Sequence, residues 1–252
     1  FLILIKSRAI AYMLSYPDIN PIALHLGPIH VHWYGLMYVL GFFTVGALAK
    51  YRITHQYWSP IFNNNELLDA IFYAAVGVII GGRLGYVIFY NLPYFLTHPY
   101  AIVQVWEGGM SFHGGLIGVS VALWTFAHQR KKSFFALLDF FVPMVPIPLG
   151  LGRFGNFING ELYGRVSNSA VSMIFPGAGP LPRYPSELLE LFLEGLCLFI
   201  FLWVISLKKT PPMFMTAWFL IGYSVCRIIA EFFRQPDPQY GYLAFGWLTM
   251  GQ

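Results

Sequence analysis

Charged residues are scarce in this sequence: they make up 10% of its 252 residues, whereas hydrophobic residues make up 57%. Soluble domains carry about 25% charged residues, so a composition this poor in charge argues strongly against a soluble domain. The net charge of +4 is small and dispersed along the chain, which excludes the basic surface of a nucleic-acid-binding protein. The composition therefore indicates a membrane protein with no nucleic-acid partner.

Cysteine and aspartate are also scarce. The two cysteines, Cys197 and Cys226, lie inside long apolar runs, which favours inert packing over a disulfide or a metal site. A phosphatidyl transferase that uses a divalent metal needs clustered aspartates, and an intramembrane protease needs paired aspartates or a serine–histidine site. The aspartates are instead scattered, at Asp18, Asp69, Asp139 and Asp237. We therefore expect neither a metal nor a cofactor.

Long apolar segments are abundant, and a membrane-spanning helix needs about 20 mostly apolar residues. The candidates are Val31–Ala49, Leu67–Tyr90, His113–His128, Phe134–Leu151, Glu187–Leu207 and Met213–Phe233. A seventh stretch begins near Tyr242, but the sequence stops at Gln252, too soon to cross, so we expect a truncated final span. These patterns predict an all-α fold: a polytopic membrane helix bundle of six to seven transmembrane helices with short outer arms. Residues 1–30 form its outer segment and residues 31–252 the membrane-embedded domain.

Basic residues predict the orientation of the spans, because loops rich in Lys and Arg stay in the cytoplasm. Such residues follow the first, third and fifth predicted spans, at Lys50 and Arg52, Arg130–Lys132, and Lys208–Lys209. The opposite, outer ends carry only arginine, at Arg153, Arg165, Arg183, Arg227 and Arg234, and Arg83 lies inside the second span. The planar guanidinium binds phosphate or carboxylate through two nitrogens. Alternatively, some of these arginines extend to the interface or pair with Glu161, Glu190 and Glu231.

The segment Gly152–Arg165, which reads GRFGNFINGELYGR, is the most informative part of the sequence. Its glycines allow a ligand or another helix to approach the backbone closely. Its strongly polar side chains are Arg153, Asn156, Asn159, Glu161 and Arg165. Ionisable groups at membrane depth are costly, so they indicate function. The alternative is a purely structural re-entrant turn.

Four smaller groups lie toward the same predicted face. His113 precedes two glycines at the start of the third span, and an imidazole can act as a general acid or base near neutral pH. Arg227, Glu231 and Arg234 share a helix face at spacings i, i+4 and i+7. The remaining groups are His32–Tyr34, which could equally be an interfacial aromatic belt, and the acidic stripe Glu187, Glu190 and Glu194, which needs arginine partners. Together they predict a cationic pocket for an anionic head group.

These motifs resemble the bacterial phosphatidylglycerol–prolipoprotein diacylglyceryl transferases. GRFGNFINGELYG matches the signature of that family in full, and HWYGLMY, GGRLGY, the stretch from Trp106 through HGGLIG, and RIIAEFFRQPD follow in the family's order. The resemblance covers about Tyr16 to Gln252. It implies transfer of the diacylglyceryl group of phosphatidylglycerol to the lipobox cysteine thiol of prolipoprotein signal peptides, with glycerol-1-phosphate leaving. It also implies a multi-pass protein of the bacterial inner membrane, surrounded by membrane lipids, with its active site toward the outer face.

The resemblance also implies roles for individual residues. Arg153 would bind the head group, with Arg227 as its partner across the pocket, and His113 and Tyr34 match functionally important positions. The residues expected to bind substrate are Arg153, Asn156, Asn159, Glu161, Gly164, Arg165, Glu231, Arg234 and Arg83. The acceptor of the thiol proton stays open.

The sequence departs from the family in places and leaves an alternative function. The connection from Val166 to Pro182 is short, and Tyr184 occupies a place where histidine is common. A transporter or binding protein for an anionic lipid head group would also line a pocket with arginine and histidine. A transporter usually shows two repeated halves, and no repeat is found in this sequence.

Overall fold

The computed structural model describes residues 14–17, 19–27, 29–55, 63–236, 242–244 and 248–249. The chain is mostly helical, with 65% of it in helices. It divides into two compact units. The first contains described residues of 1–45, 142–208 and 214–252, and the second contains those of 46–141 and 209–213.

The elements of the first unit begin with an antiparallel hairpin, β1 (Ile22–Leu26) and β2 (Ile29–His32), followed by the first half of helix α1 (Trp33–Thr54). The later helices are α6 (Pro146–Asn159), α7 (Ser186–Glu190), a π-helical segment (Leu191–Cys197), α8 (Leu198–Ile205) and α9 (Phe214–Glu231). A second antiparallel pair, β3 (Tyr242–Ala244) and β4 (Leu248–Thr249), follows.

The elements of the second unit are helical. They are the end of α1, α2 (Asn64–Phe89), the short α3 (Leu92–Thr97), two 3₁₀ turns (Pro99–Val103 and Val105–Glu107), α4 (Phe112–Gln129) and α5 (Phe134–Phe141). Helix α2 begins at a capping box, in which Asn63 and Glu66 each bond the other's backbone N–H.

Four helical stretches are long and apolar enough to cross a membrane: Trp33–Thr54, Asn65–Phe89, Ser186–Ile205 and Phe214–Glu231. A fifth span results if Phe134–Phe141 and Pro146–Asn159 are counted as one. Many of their side chains are apolar and exposed, for example Phe43 and Phe89 at 74% each, as expected for surfaces that face lipid. The described residues thus form a multi-pass helical protein with four to five candidate spans, and the predicted six to seven are not confirmed.

Several predicted span boundaries were wrong. The first helix continues beyond Ala49 to Thr54, because Lys50 and Arg52 are good helix formers and Arg52 is buried, with Cζ 5.5 Å from the Phe140 ring centroid. The third segment forms α4, but polar residues at both ends keep it out of the candidate spans.

The fourth predicted segment, Phe134–Leu151, is interrupted rather than continuous. Pro143 cannot extend α5, and Pro146 occupies the first position of α6, where a missing N–H costs nothing. Near Tyr242, where a seventh span was expected to begin, the described residues form β3 and β4.

Glycines bring α2 and α4 into close contact in the second unit. A Cβ atom at Gly77 would lie 2.6 Å from the carbonyl oxygen of Gly118, and one at Gly85 would lie 2.7 Å from Cα of Gly114. Small residues four apart allow two helix backbones to approach in this way in a membrane. Glycines also allow a close helix contact in the first unit, where a Cβ atom at Gly195 would lie 2.9 Å from Cα of Gly150. That crossing fixes the π-helical segment against α6.

Residues 163–184, which follow α6 in the first unit, form a compact segment that we call the arm. Gly164 bridges Arg234, and Arg183 bridges both Val166 and Met173, so short antiparallel contacts tie the arm together. Met173 and Phe175 of the arm form a buried apolar cluster with Phe157 of α6. The arm therefore attaches residues 163–184 to the end of α9.

Candidate functional site

Three arginines and three glutamates of the first unit form one network of ion pairs, which we call the arginine–glutamate cluster. Its members are Arg153, Arg227, Arg234, Glu190, Glu194 and Glu231. Glu190 and Glu194 are 0% exposed. Because buried charges are stable only when they are paired, each member depends on the others.

Glu190 is the centre of this cluster. Its Oε2 lies 2.9 Å from Nε of Arg153, and its Oε1 lies 2.6 Å from Nη1 of Arg227 and 3.6 Å from Nη1 of Arg234. Arg153 of α6 and Arg227 of α9 thus pair with the same carboxylate, that of Glu190 at the end of α7. The acidic stripe was predicted to need arginine partners, and for Glu190 and Glu194 this is confirmed.

Arg153 is only partly used by the cluster. Besides Glu190, it reaches Oε2 of Glu194 with Nη2 at 3.4 Å. Its remaining nitrogen, Nη1, has no hydrogen-bond partner in the described part of the chain, and the side chain stays 19% exposed. Arg153 therefore presents a donor away from the carboxylates that hold it.

Arg227 and Glu231 pair as their spacing predicted, but the predicted place of Arg234 on the same helix face was wrong: α9 ends at Glu231, and Arg234 lies beyond it in a bridge to Gly164. Nη2 of Arg227 lies 2.6 Å from Oε2 of Glu231, four residues later. The other oxygen of Glu231 accepts a 2.6 Å hydrogen bond from Oγ1 of Thr249, which is 3% exposed. Thr249 thus adds a neutral donor to the cluster.

The signature segment makes a tight turn at the end of α6. Gly160 has a φ of 65°, and its N–H bonds the carbonyls of Asn156 and Phe157, closing the helix. The side-chain amides of Asn156 and Asn159 donate to Oε1 of Glu161 at 2.9 and 3.1 Å. The amides therefore orient an exposed carboxylate just beyond the helix.

Arg165 and Gly164 connect the arm to the end of α9. Nε of Arg165 donates to the carbonyl of Arg234 at 2.9 Å, and a Cβ atom at Gly164 would lie 2.6 Å from the carbonyl oxygens of Phe233 and Tyr184. Gly164 is thus required for this close backbone contact.

Tyr34 packs on the same helix that carries Arg153. A Cβ atom at Gly155 would lie 2.9 Å from Cδ2 of Tyr34, so only glycine allows this approach. The Tyr34 hydroxyl lies 3.2 Å from that of Tyr38. The neighbouring His32 is the exposed last residue of β2.

Comparison with known proteins identifies the family. The prolipoprotein diacylglyceryl transferase family model matches residues 21–252. The chain belongs to the prolipoprotein diacylglyceryl transferase family. Its relatives include proteins of Francisella tularensis subsp. mediasiatica (strain FSC147) and subsp. novicida (strain U112), both named phosphatidylglycerol–prolipoprotein diacylglyceryl transferase. Each is 55% identical to this chain over 240 residues, which cover 95% of the chain and 89% of the relative.

Two further predicted site residues lie in the second unit. Arg83 is 6% exposed and donates to backbone carbonyls, including that of Ile102 at 2.9 Å. His113 is exposed, occupies the second position of α4, and lies beside the Phe112 ring. Their roles as substrate-binding and catalytic residues stay predictions.

Sequence reasoning missed part of the arginine–glutamate cluster and of its surroundings. Glu190 and Glu194 were seen only as partners for arginine, and Thr249 was not noticed, since a lone threonine near a chain end carries no pattern. For Glu187 the expected arginine partner was wrong: it is 0% exposed, yet neither carboxylate oxygen has a hydrogen-bond partner among the described residues.

Proposed function

We propose that this chain transfers the diacylglyceryl group of phosphatidylglycerol to the cysteine thiol of prolipoproteins. Family membership carries this conclusion: the family match spans residues 21–252, and relatives 55% identical to the chain bear that name. The arginine–glutamate cluster supports a location for the reaction, because it is the group of buried charges at the signature segment.

The reaction forms a carbon–sulfur bond and breaks a carbon–oxygen bond. The peptide sulfur attacks the carbon of the diacylglyceryl group that is bonded to the phosphate oxygen. The electrons of the broken carbon–oxygen bond stay on that oxygen, and glycerol-1-phosphate leaves. The thiol proton passes to a base. A site for this chemistry must hold an anionic phosphate and stabilise the negative charge that develops on it.

Arg153 is the residue that we propose for the phosphate. Its Nη1 has no partner in the described residues, and Glu190 and Glu194 hold the other side of its guanidinium, so the donor is oriented before the lipid arrives. Arg227 supports the same site through the shared Glu190. The carboxylates keep the arginines in place without removing every donor.

The remaining predicted site residues support this arrangement in different ways. Asn156, Asn159 and Glu161 form a polar turn beside Arg153, where they can bind the glycerol hydroxyls of the head group. Tyr34 packs against the helix of Arg153, and Glu231 holds Arg227. Gly164, Arg165 and Arg234 hold the arm against the end of α9. We propose His113 as the base that takes the thiol proton.

We also propose that the enzyme lies in the bacterial inner membrane with the cluster toward its outer face. The lysine distribution supports this orientation, since Lys50, Lys131 and Lys208 lie at ends opposite to the signature segment in the predicted topology. The prolipoprotein segment would be a signal peptide with a lipobox cysteine.

Phosphatidylglycerol labelled separately in its acyl chains and in its head group tests the function. With purified protein and a lipobox peptide, we expect the acyl label to move to the peptide and the head-group label to appear as glycerol phosphate. A peptide with serine in place of cysteine is the control and should gain no label. Binding of both labels to the protein without transfer would contradict the proposal and favour a lipid-binding protein or transporter.

A further inference from the structure

Arg83 is a buried arginine whose described hydrogen bonds all reach backbone carbonyls. Nη2 donates to Ala101 at 2.6 Å, Nε to Ile102 at 2.9 Å, and Nη1 to Gly109 at 3.1 Å and also to Gly108. All three nitrogens are therefore engaged, and the residue is 6% exposed. This differs from Arg153, which keeps one nitrogen without a partner in the described residues.

The carbonyls that Arg83 binds belong to the loop before α4. Gly108 and Gly109 have φ angles of 83° and 77°, a region that favours glycine. The N–H of Ser111 donates to the carbonyl of Gly82 at 2.8 Å. Neighbouring residues of α2 thus hold the loop at two successive points, through a side chain and through a carbonyl.

This loop determines where α4 begins. Ser111 is its N-cap residue, and the Ser111 hydroxyl accepts a 3.2 Å hydrogen bond from the N–H of Gly114. His113 lies between these two residues, in the first turn. A shift of the Gly108–Ser111 loop would therefore move the backbone that carries His113.

We propose that Arg83 is a positioning residue: it fixes the Gly108–Ser111 loop and thereby the location of His113. This proposal rests on the proposed function, in which His113 takes the thiol proton. It replaces the sequence-based expectation that Arg83 binds substrate, because a guanidinium engaged with four carbonyls has little left to offer a phosphate.

Arg83→Lys separates the two roles, because lysine keeps the charge but cannot reach four carbonyls with one ammonium group. We expect kcat to fall about 10- to 100-fold, the effect of misplacing a catalytic group by about 1 Å. The KM for phosphatidylglycerol should change less than about twofold. Arg130→Lys is the matched control, because Arg130 is an exposed arginine of the same unit paired with Asp69, and it should keep normal kinetics. A raised KM with an unchanged kcat would overturn the proposal.

A double variant tests whether Arg83 acts through His113. In a His113→Gln background, Arg83→Lys should cause almost no further loss of kcat, since the group that it positions is already absent. Losses that multiply would contradict the positioning role while leaving the role of His113 intact. Full activity of His113→Gln by itself would instead contradict the proposed base, and with it this inference.

A second variant covers the case in which Arg83→Lys fails to fold. Gly108→Ala leaves Arg83 unchanged and places alanine at a φ of 83°, with no atom within 4 Å of the added Cβ. Because an alanine is strained at this φ, we expect the substitution to shift the carbonyl that Arg83 binds without introducing a clash. We expect the same fall in kcat without a change in KM, and the same lack of further loss with His113→Gln. Normal kcat in Gly108→Ala would overturn the proposal.

Discussion

At the scale of single residues, we expect the geometry of Arg153 to matter more than its charge. Nε and Nη2 lie against two different carboxylates, and Nη1 is the donor that we propose for the lipid phosphate. Lysine carries the same charge on one ammonium group, so it can replace at most part of this arrangement. We therefore expect arginine to be required at position 153, because its three donor nitrogens point in fixed directions.

We predict that Arg153→Lys lowers kcat by about 10²–10³, the usual cost of losing one electrostatic donor to a transition state. Transfer of labelled diacylglyceryl to a lipobox peptide measures it. Arg130→Lys, at an exposed ion pair, is the control. Near-normal turnover of Arg153→Lys would show that charge alone is sufficient.

The buried carboxyl of Glu187 should behave differently from that of Glu190. Replacing Glu190 by glutamine leaves Arg153 and Arg227 short of a partner, and breaking a buried ion pair costs about 3–5 kcal/mol. Glu187 has no hydrogen-bond partner in the described residues, so Glu187→Gln removes no ion pair.

Thermal unfolding of the two variants in the same detergent measures this difference. We expect the apparent Tm of Glu187→Gln to equal or exceed that of the parent, and the apparent Tm of Glu190→Gln to fall by several degrees. Equal losses in both variants would show that Glu187 is also paired.

His113 can be tested through the pH dependence of transfer. If it takes the thiol proton, His113→Gln should lose about 10²–10⁴ in rate, and raising the pH should partly restore activity because more of the thiol is already ionised. His128→Gln, in the last turn of the same helix, is the control. A His113→Gln variant that stays inactive at high pH, with normal lipid binding and stability, would indicate another acceptor, such as Tyr34.

At the scale of helices, the crossing of α6 and the π-helical segment positions the carboxylates. A Cβ atom at Gly195 would lie 2.9 Å from Cα and 3.5 Å from N of Gly150. These are backbone atoms, which cannot rotate away as a side chain can. Gly195→Ala should therefore separate the two helices, reducing both stability and the fit of Glu194 to Arg153.

Gly152→Ala is the matched control for this crossing, because no atom lies within 4 Å of the Cβ that it adds. Thermal unfolding should show a lower apparent Tm for Gly195→Ala and an unchanged or slightly higher one for Gly152→Ala, since alanine favours helix. A Tm that is unchanged in Gly195→Ala would contradict the close crossing.

The elements also show what the sequence could and could not predict. The spacing of Arg227 and Glu231 predicted their ion pair, because helical periodicity alone brings i and i+4 together. The π-helical segment was not predictable, since its bonding pattern depends on packing against Gly150 rather than on local propensity. Arg52 was assigned to a loop, yet it extends α1 and is buried by tertiary contacts that hydropathy does not report.

At the scale of the whole molecule, the apolar surface and the four to five candidate spans agree with the membrane class predicted from composition. The six to seven predicted spans are not confirmed, because among the described residues prolines interrupt Phe134–Leu151 and polar residues at both ends keep α4 out of the candidate spans. The cluster was largely predictable because charge is rare here, so each ionisable residue in an apolar segment is conspicuous.

Single cysteines test the predicted orientation of the spans. In a variant with serine at Cys197 and Cys226, cysteines at Lys50, Lys131 and Lys208 should resist an impermeant thiol reagent in intact cells, because these ends are predicted to be cytoplasmic. A cysteine at Leu24, which is 51% exposed on the predicted outer side, is the positive control. Ready labelling at two of the three lysine positions would overturn the orientation.

The most direct test of the central claim is the intact mass of a lipobox peptide after incubation with the purified protein and phosphatidylglycerol of defined acyl chains. The account predicts a mass increase equal to one diacylglyceryl group, located on the cysteine sulfur by fragmentation, and almost none of it with the Arg153→Lys protein. An unmodified peptide in the presence of a folded, lipid-binding protein would contradict the account.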